Sequence, residues 1–355
     1  MIHFKKAFFF ALAMALLLAV TYQAYSAEVA DQIGRADYVK NLKGKKVIFV
    51  PISMGFDMDQ AWVTVIKQMA QRYDFSFEVR DPNSNTDAGI RALQGAIAEK
   101  PDLLIVQNPD VQSWARLIKQ AQEAGIKTLA LNMQSATQTD SYVGNDWVEM
   151  GRLEMGELAK ACAGPNAVSH KVVWLAGVET GAANIWMRKG IDEVLKANPT
   201  LQLVSDQPAQ YDAEKARQIT ATVLQQHPDL CGVMGIWDHC EVGAGAAVAA
   251  AGKTGQVTIV TNGAGSADTC SNIQKGLLTV NFSLNSDIQG HIAADQVGYL
   301  LSHPEIKAGQ VKQVFFGPIT RQDKTNATGN RGCWTLEDLK YCPNGCPDAR
   351  PPELR

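Results

Sequence analysis

Short, uniformly apolar runs alternate with amphipathic stretches along most of the chain after Lys45. Runs of this length without polar alternation predict strands that are buried on both faces of a sheet. The intervening stretches have apolar residues at three- and four-residue spacing, which is the pattern of helices that pack by one face. The predicted strands are 47–52, 75–79, 103–106, 128–131, 171–176, 202–205, 232–236 and 257–261. The predicted helices are 61–73, 87–99, 113–124, 148–162, 185–197, 212–226 and 242–251.

This alternation predicts an α/β fold of parallel sheets covered by helices on both faces. It runs in two blocks, roughly 45–143 and 145–261, separated by the Gly-Asn-Asp-Trp stretch at 144–147. A chain of 355 residues also exceeds what one core usually serves, which favours two domains. Ligands of such sheets bind beyond the carboxyl ends of the strands. The turns at those ends are rich in Asn, Asp, Gln and Trp and poor in Lys and Arg.

The first 27 residues have the features of a secretory signal peptide. Lys5 and Lys6 precede an apolar run at 7–20, and Ala24-Tyr25-Ser26 offers small residues for cleavage. The run is too short for a membrane span, and no other long apolar segment follows it. We therefore expect a mature protein that is exported to the periplasm without direct membrane insertion.

Charge and cysteine content narrow the function classes. The formal net charge is −3 and evenly spread, which argues against nucleic acid or anionic lipid as a partner. Seven Cys residues in an exported chain make disulfides chemically feasible, with at least one thiol left over. The loop-rich tail at 323–355 has little core of its own, so we expect a disulfide from Cys333 to Cys342 or Cys346.

No constellation of catalytic residues is visible in the sequence. There is no Ser-His-Asp order and no nucleophile elbow, and His239-Cys240 has no second ligand pair at zinc spacing. The small-residue stretch at 243–252 lacks the full spacing of a nucleotide-binding turn, so it predicts a helix packed on the sheet. We therefore expect neither enzymatic activity, nor a cofactor, nor a bound metal.

The chain resembles the ribose-binding-protein-like, type I periplasmic sugar-binding proteins of ABC transporters. The resemblance covers roughly residues 43–322 and depends on the order and spacing of several segments. These are L-L-I-V-Q-N-P-D (103–110), A-G-I-K-T-L-A-L-N (124–132), Y-V-G-N-D-W-V-E-M-G (142–151), Q-P-A-Q-Y-D (207–212), Q-Q-H-P-D-L-C-G-V-M-G-I-W-D (225–238) and I-V-T-N-G-A-G (259–265).

The resemblance implies two Rossmann-like parallel-sheet lobes joined by a three-segment hinge, with ligand closed in the cleft between them. The lobes would exchange their last segments. The N-terminal lobe would comprise 44–144 plus 285–308, and the C-terminal lobe 145–284 plus 309–322. The hinge would cross at Gly144-Asn145, Leu284-Asn285 and Ala308-Gly309.

The resemblance also implies a set of cleft residues. Trp62 lies where the family places a stacking aromatic and Asp59 where it places an amide, while Phe56 would compensate for the small Ala61. Trp62 has an alternative as the first core residue of its helix, Trp237 as a core residue, and Tyr211 as a staple residue that leads into a helix. The candidate ligand-binding residues are Phe56, Asp59, Trp62, Gln107, Asn108, Asn132, Tyr211, Trp237, Asp238 and Asn262.

Three departures from the family pattern bear on the ligand. Met133 and Met187 replace Arg residues of relatives, and Gly263 replaces an Asp. The chain then lacks the charged side chains that each bind two neighbouring hydroxyls of a sugar. Their absence favours a smaller polyol, a deoxy sugar or a less hydroxylated solute as the ligand. Aromatics with Asp59 and Asp238 would alternatively surround a cation.

Relatives place the strand tips before Cys240 and Cys270 side by side, which implies a disulfide between these two residues.

The function implied is that of a periplasmic solute-binding protein, a monomer that delivers a small sugar-like or polyol ligand to ABC permease subunits. Hinge closure would shift an open–closed equilibrium when ligand bridges the lobes. The alternative is a ligand-sensing receptor of the same fold that acts on a sensor kinase or chemoreceptor.

Overall fold

A computed structural model describes residues 34–165, 167–328 and 333–339, which form two lobes of parallel sheet and helix. The strands are β1 (Lys46–Val50), β2 (Ser76–Val79), β3 (Leu103–Val106), β4 (Lys127–Leu131), β5 (Ser141–Gly144), β6 (Lys171–Ala176), β7 (Gln202–Pro208), β8 (Gly232–Gly235), β9 (Thr258–Gly263), β10 (Val280–Ser283), β11 (Gln313–Phe316) and β12 (Thr320–Gln322). The helices are α1 (Arg35–Leu42), α2 (Asp57–Tyr73), α3 (Thr86–Glu99), α4 (Ala115–Glu123), α5 (Trp147–Cys162), α6 (Ala182–Ala197), α7 (Ala213–Gln226), α8 (Asp238–Ala250), α9 (Ala267–Gln274) and α10 (Ser286–Ser302).

The two sheets have six strands each and share one strand order. The first runs β11-β5-β4-β3-β1-β2 and the second β12-β10-β9-β8-β6-β7. All neighbouring strands pair in parallel except β10 and β12, which are antiparallel. The predicted α/β class with two parallel-sheet lobes is therefore confirmed.

Local sequence explains where the elements that flank the cleft begin. All four residues of β3 are buried, as expected for a central parallel strand covered on both faces. Helix α5 follows the first crossing because Asp146 caps it, accepting hydrogen bonds from the amides of Val148 and Glu149 at 3.0 and 3.1 Å. Asn85 caps α3 in the same way through the amide of Ala88.

One domain boundary differs from the expectation. Strand β11 pairs with β5 in the first sheet, whereas the sequence reading assigned 309–322 to the second lobe. The third crossing therefore lies between Phe316 and Thr320, not at Ala308-Gly309. Strand β11 alternates half-buried and exposed positions along a sheet edge, and such a pattern carries no information about which sheet it joins.

The crossing segments are held together by side-chain amides. Asn145 donates to the carbonyls of Gly317 and Pro318 at 3.2 and 3.3 Å, and its own carbonyl accepts from Gln289. The amide of Gly317 also bonds the carbonyl of Gly144 at 2.7 Å. Asn145 therefore joins two crossing segments to helix α10, which packs against α2 of the first lobe.

The disulfide pairing differs from both expected pairings. Cys162 bonds Cys231, Cys270 bonds Cys333, and Cys240 is a buried free thiol. The expected bond of Cys333 to Cys342 or Cys346 is wrong, and these two partners lie outside the described residues. The expected bond between Cys240 and Cys270 is wrong because the two side chains pack in different hydrophobic clusters, Cys240 with Met234 and Cys270 with Val233. Adjacent residues of one strand point to opposite faces of its sheet.

The segment 333–339 contacts both lobes. Trp334 donates from its indole nitrogen to the carbonyl of Ala264 at 2.9 Å, and Cys333 is bonded to α9 of the second lobe. At the other end, the carbonyl of Leu339 accepts from the Gln68 side chain of α2 at 2.8 Å. Within the described ranges, no helix is long and apolar enough to cross a membrane.

Candidate functional site

A small cavity lies between the lobes, where the carboxyl ends of both sheets face each other. Its volume is about 50 Å³. The lining is mostly aromatic, aliphatic and thioether, with three amides: Ile52, Phe56, Met58, Gln107, Asn132, Met133, Trp147, Ala183, Tyr211, Ile236, Trp237, Asn262 and Leu284. Lys and Arg are absent from this lining, so the cavity offers no fixed positive charge to a ligand.

Most of the expected cleft residues line this cavity. They are Phe56, Gln107, Asn132, Tyr211, Trp237 and Asn262. The family resemblance implied these residues, and most of them follow directly from β3, β4, β8 or β9 or stand at a strand's last positions, where ligands of parallel sheets bind. The sequence reading missed the apolar majority of the wall. Ile52 lies in the same turn as Phe56, Met58 lies two residues after Phe56 at the start of α2, and that proximity was the available signal.

The other four expected residues lie outside the lining. Trp62 is fully buried in the hydrophobic core of the first lobe, and Asn108 donates to the carbonyl of Met133 at 3.0 Å. Asp59 is fully buried in α2, and burial raises the pKa of its carboxyl well above the usual range. Asp238 accepts from the hydroxyl of Thr269 and the amide of His239, and burial raises its pKa to about 6.

Aromatic rings close the cavity from both lobes. The ring of Phe56 meets that of Trp237 edge-on, with centroids 4.1 Å apart, and the centroid of Tyr211 lies 6.1 Å from that of Trp237. Edge-to-face contacts at such distances are favourable beyond the area they bury. Phe56 precedes α2 of the first lobe and Trp237 precedes α8 of the second, so this contact joins the lobes.

Three lining residues have backbones in the left-handed region. Trp237 has φ of 82°, Asn132 has φ of 59° and Tyr211 has φ of 58°. For a bulky side chain such as Trp this conformation is strained, at a cost of about 1–3 kcal/mol. Strain of this kind clusters at functional sites, and here it turns a large aromatic surface into the cleft.

The lining amides are partly engaged by the protein itself. The Gln107 carbonyl oxygen accepts from the amide of Ile52 at 2.8 Å. Asn262 donates to a carboxyl oxygen of the fully buried Glu154 at 2.7 Å. Burial raises the pKa of Glu154 well above its usual range.

An ion pair also joins the lobes beside the cavity. The Nε2 atom of His239 lies 3.6 Å from a carboxylate oxygen of Asp57. The nearby carboxylate of Asp57 raises the pKa of His239 to about 9, against the opposing effect of burial. Burial acts to raise the pKa of Asp57, but its interactions with the side chains of His239 and Ser266 outweigh burial and the net shift is downward. Sequence reading missed this pair because the two residues lie far apart in the chain.

The cavity is lined by aromatic and amide side chains of the kinds that commonly line small-molecule sites. In the described part of the chain, no group of three or more His, Cys, Asp or Glu side chains could hold a metal ion. The fold and the cleft between its lobes define a bilobal ligand-binding protein.

The chain belongs to the periplasmic binding protein family, whose domain profile matches residues 47–305. Members of this family are solute-binding proteins and not enzymes. The chain is 26% identical over 201 residues to a D-ribose/D-allose-binding protein of Pseudomonas aeruginosa, covering 55% of this chain and 61% of that protein. It is 21% identical over 302 residues to a galactofuranose-binding protein of Escherichia coli, covering 79% and 93%. The chain spans about three fifths of the length of the first relatives that it matches.

Solved structures show the same fold. An ABC transporter solute-binding protein from Mycobacterium smegmatis with bound glycerol has a TM-score of 0.71 at 21% identity, covering 82% of this chain and all of the other. A solute-binding protein from Agrobacterium vitis bound with α-D-tagatopyranose has a TM-score of 0.72 at 20% identity, covering 81% and 99%.

Proposed function

We propose that this protein is an exported receptor of an ABC importer that binds a small sugar-like or polyol solute between its lobes. One observation carries the proposal: side chains of both lobes enclose a single cavity, with Phe56 and Trp237 in contact across it. A ligand held by both lobes stabilises the closed form over the open form by its differential affinity for the two. Closure then becomes the signal that a solute is bound.

The relatives support the importer role and a hydroxylated ligand. Several are named for the import or binding of ribose, allose or galactofuranose, and one structural neighbour holds glycerol. Residues 1–27 would direct export, and the mature protein would act as a monomer that presents both lobes to the permease subunits of the transporter. The two lobes would be 44–144 with 285–316 and 145–284 with 320–322, connected by the three crossings.

A thermal-shift screen of the mature protein over sugars, polyols and small amines tests the proposal. Binding confined to the native state adds about 2.7 kcal/mol of stability at a hundredfold excess over the dissociation constant. We expect one small solute to raise the melting temperature and to be taken up by cells only when the protein is present. Turnover of a sugar at enzymatic rates, or binding with no dependent uptake, would contradict the role.

A further inference from the structure

We propose that the segment 333–339 is a strap that fastens the two lobes in the closed arrangement, so that this part of the tail sets the open–closed equilibrium together with the ligand. The inference rests on the lobe closure of the proposed function and adds a device that acts on closure before any ligand binds. It follows from the unequal way in which the two ends of the strap are attached.

One end of the strap is attached firmly to the second lobe. Cys333 is bonded covalently to Cys270 of α9. The indole nitrogen of Trp334 donates to the carbonyl of Ala264 at 2.9 Å, and the carbonyl of Trp334 accepts from the amide of Ala267 at 2.9 Å. Because one of these links is covalent, this end stays on the second lobe when the lobes move.

This attachment lies beside a crossing between the lobes. The carbonyl of Ala264 that accepts from Trp334 also accepts from the amide of Ser286 at 3.3 Å. Ser286 is the first residue of α10, where the chain has just passed from β10 of the second lobe. Helix α10 packs against α2 of the first lobe. A rotation of the lobes about this crossing therefore moves α2 relative to the strap.

The strap has a turn of its own between its two ends. The amide and the hydroxyl of Thr335 donate to the carboxylate of Asp338 at 2.8 and 2.7 Å, and the amide of Asp338 donates to the carbonyl of Thr335 at 3.1 Å. Local bonds of this kind, between a side chain and the nearby backbone, stabilise one conformation of a short segment. The turn therefore holds Leu339 at a defined distance from Cys333.

The other end of the strap is attached to the first lobe without a covalent bond. The carbonyl of Leu339 accepts from the Nε2 atom of Gln68 in α2 at 2.8 Å. The Leu339 side chain is only 6% exposed and belongs to a hydrophobic cluster with members in both lobes, among them Trp62 and Trp237. Movement of α2 away from the strap would break this hydrogen bond and expose the Leu339 side chain to water, which is unfavourable. The strap therefore opposes opening and releases at this end.

Hydrogen exchange of an amide that is bonded across the cleft tests the strap in the ligand-free mature protein. The amide of Val111 in the first lobe donates to the carbonyl of Thr180 in the second at 3.2 Å, so it exchanges when the lobes separate. We expect Leu339→Ala to speed this exchange about tenfold, because the variant removes most of the apolar surface that opening exposes. Amides of β3, which bond within the first sheet, should exchange at the parent rate.

Leu336→Ala is the matched control, because Leu336 belongs to the same strap but is 38% exposed. We expect it to leave the exchange of the Val111 amide unchanged. Equal rates in Leu339→Ala and the parent protein would overturn the inference, and so would equal acceleration by both variants. An unprotected Val111 amide in the parent protein would overturn it as well, because the lobes would then be open in spite of the strap. The measurement uses no ligand, so these outcomes leave the receptor role standing, and uptake by cells tests that role separately.

A second pair of variants tests the attachment to the second lobe. Cys270→Ala combined with Cys333→Ala removes the covalent link, so the strap has a lower effective concentration at its site and the Val111 amide should exchange severalfold faster. Cys162→Ala combined with Cys231→Ala is the control, because it removes the other disulfide of the second lobe and leaves the strap attached. Equal exchange of the Val111 amide in both double variants would overturn the role assigned to the Cys270–Cys333 bond.

Discussion

The two lobes share a strand order but are stabilised differently. The second lobe contains the disulfide Cys162–Cys231 and is bonded to the tail through Cys270–Cys333, whereas the segments of the first lobe contain no Cys. The second lobe also encloses one more carboxyl, with Glu154, Asp238 and Glu241 all buried, whereas Asp59 and Asp140 are the buried acids among the first lobe's described residues.

This difference indicates that one strand order can accommodate lobes that differ in their disulfides and in their buried carboxyls. Buried carboxyls are unfavourable unless they are paired or neutral, and burial raises the pKa of Glu241 well above its usual range, with Glu154 nearby adding to the shift. Their placement needs glycines, because a Cβ at Gly235 would collide with Glu241 and one at Gly263 with Asp238. Disulfides offset part of such a cost by restricting the unfolded chain.

The largest expected effect distinguishes a core Trp of the first lobe from a cleft Trp of the second. Trp62 is fully buried, so Trp62→Ala should lower the free energy of unfolding by about 3–5 kcal/mol. Trp237→Ala should instead weaken ligand binding by about one to two powers of ten, since it removes roughly 1.5–3 kcal/mol of apolar contact. Denaturant unfolding and calorimetric binding, measured on both variants, give the two quantities.

The distinction between a core Trp62 and a cleft Trp237 would be wrong if Trp62→Ala left the free energy of unfolding unchanged and reduced the ligand affinity of the folded protein. Trp62 would then contact the ligand, as the family resemblance implied, and the first lobe would contribute a stacking ring as well. An unstable but normally binding Trp237→Ala variant would similarly place Trp237 in the core.

The second prediction concerns the disulfide inside the second lobe. The double variant Cys162→Ala and Cys231→Ala should lose about 2–4 kcal/mol of stability, because the bond closes a loop between residues 69 positions apart. Cys240→Ala is the matched control, since it removes a buried thiol of the same lobe that forms no disulfide. Hydrogen exchange should show faster opening in the second lobe and little change in the first. Equal losses in the control would mean that packing, not the bond, stabilises this lobe.

Helices and strands were predictable from the sequence wherever a short stretch of the chain has a clear pattern of apolar residues. The bounds of β3 and β6 match the expected strands 103–106 and 171–176. Helix α10 was not predicted, because its buried face includes Gln289 and Gln296 and the apolar period is correspondingly weak. The family resemblance implied Phe56, Tyr211 and Trp237, and each of them lies in a turn after a strand, where ligands of parallel sheets bind.

Features that depend on distant segments were not predictable. The pairing of β11 with β5, the Cys270–Cys333 bond and the Asp57–His239 ion pair each join segments whose approach is set by the tertiary fold. No local signal in one sequence specifies such partners. The burial of Trp62 is of the same kind, because helix α10 covers the helix on which Trp62 lies.

The smallest expected effect is on the ion pair that joins the lobes, and it appears as a pH dependence. His239 has a pKa raised from 6.5 to about 9, so its contribution to closure is complete below about 6.5 and is lost as pH rises through about 9. Asp57 has a lowered pKa, so its contribution is lost only as pH falls through that lowered value. The neighbouring carboxyls of Asp238 and Asp268 act in the same direction on His239.

Asp57→Asn therefore tests whether the lobes are joined by charge as well as by aromatic contact. In the parent protein, ligand affinity should decline between pH 7 and 10, and the variant should lose most of this decline. The pair is partly exposed, so its contribution is about 0–1 kcal/mol, equivalent to at most a fewfold change in affinity. Asp287→Asn serves as the control, because Asp287 also lies in the first turn of a first-lobe helix and is not paired with His239. A pH profile that is identical in the parent and in Asp57→Asn would show that closure depends on the contact of Phe56 with Trp237 and on the ligand, without a contribution from charge.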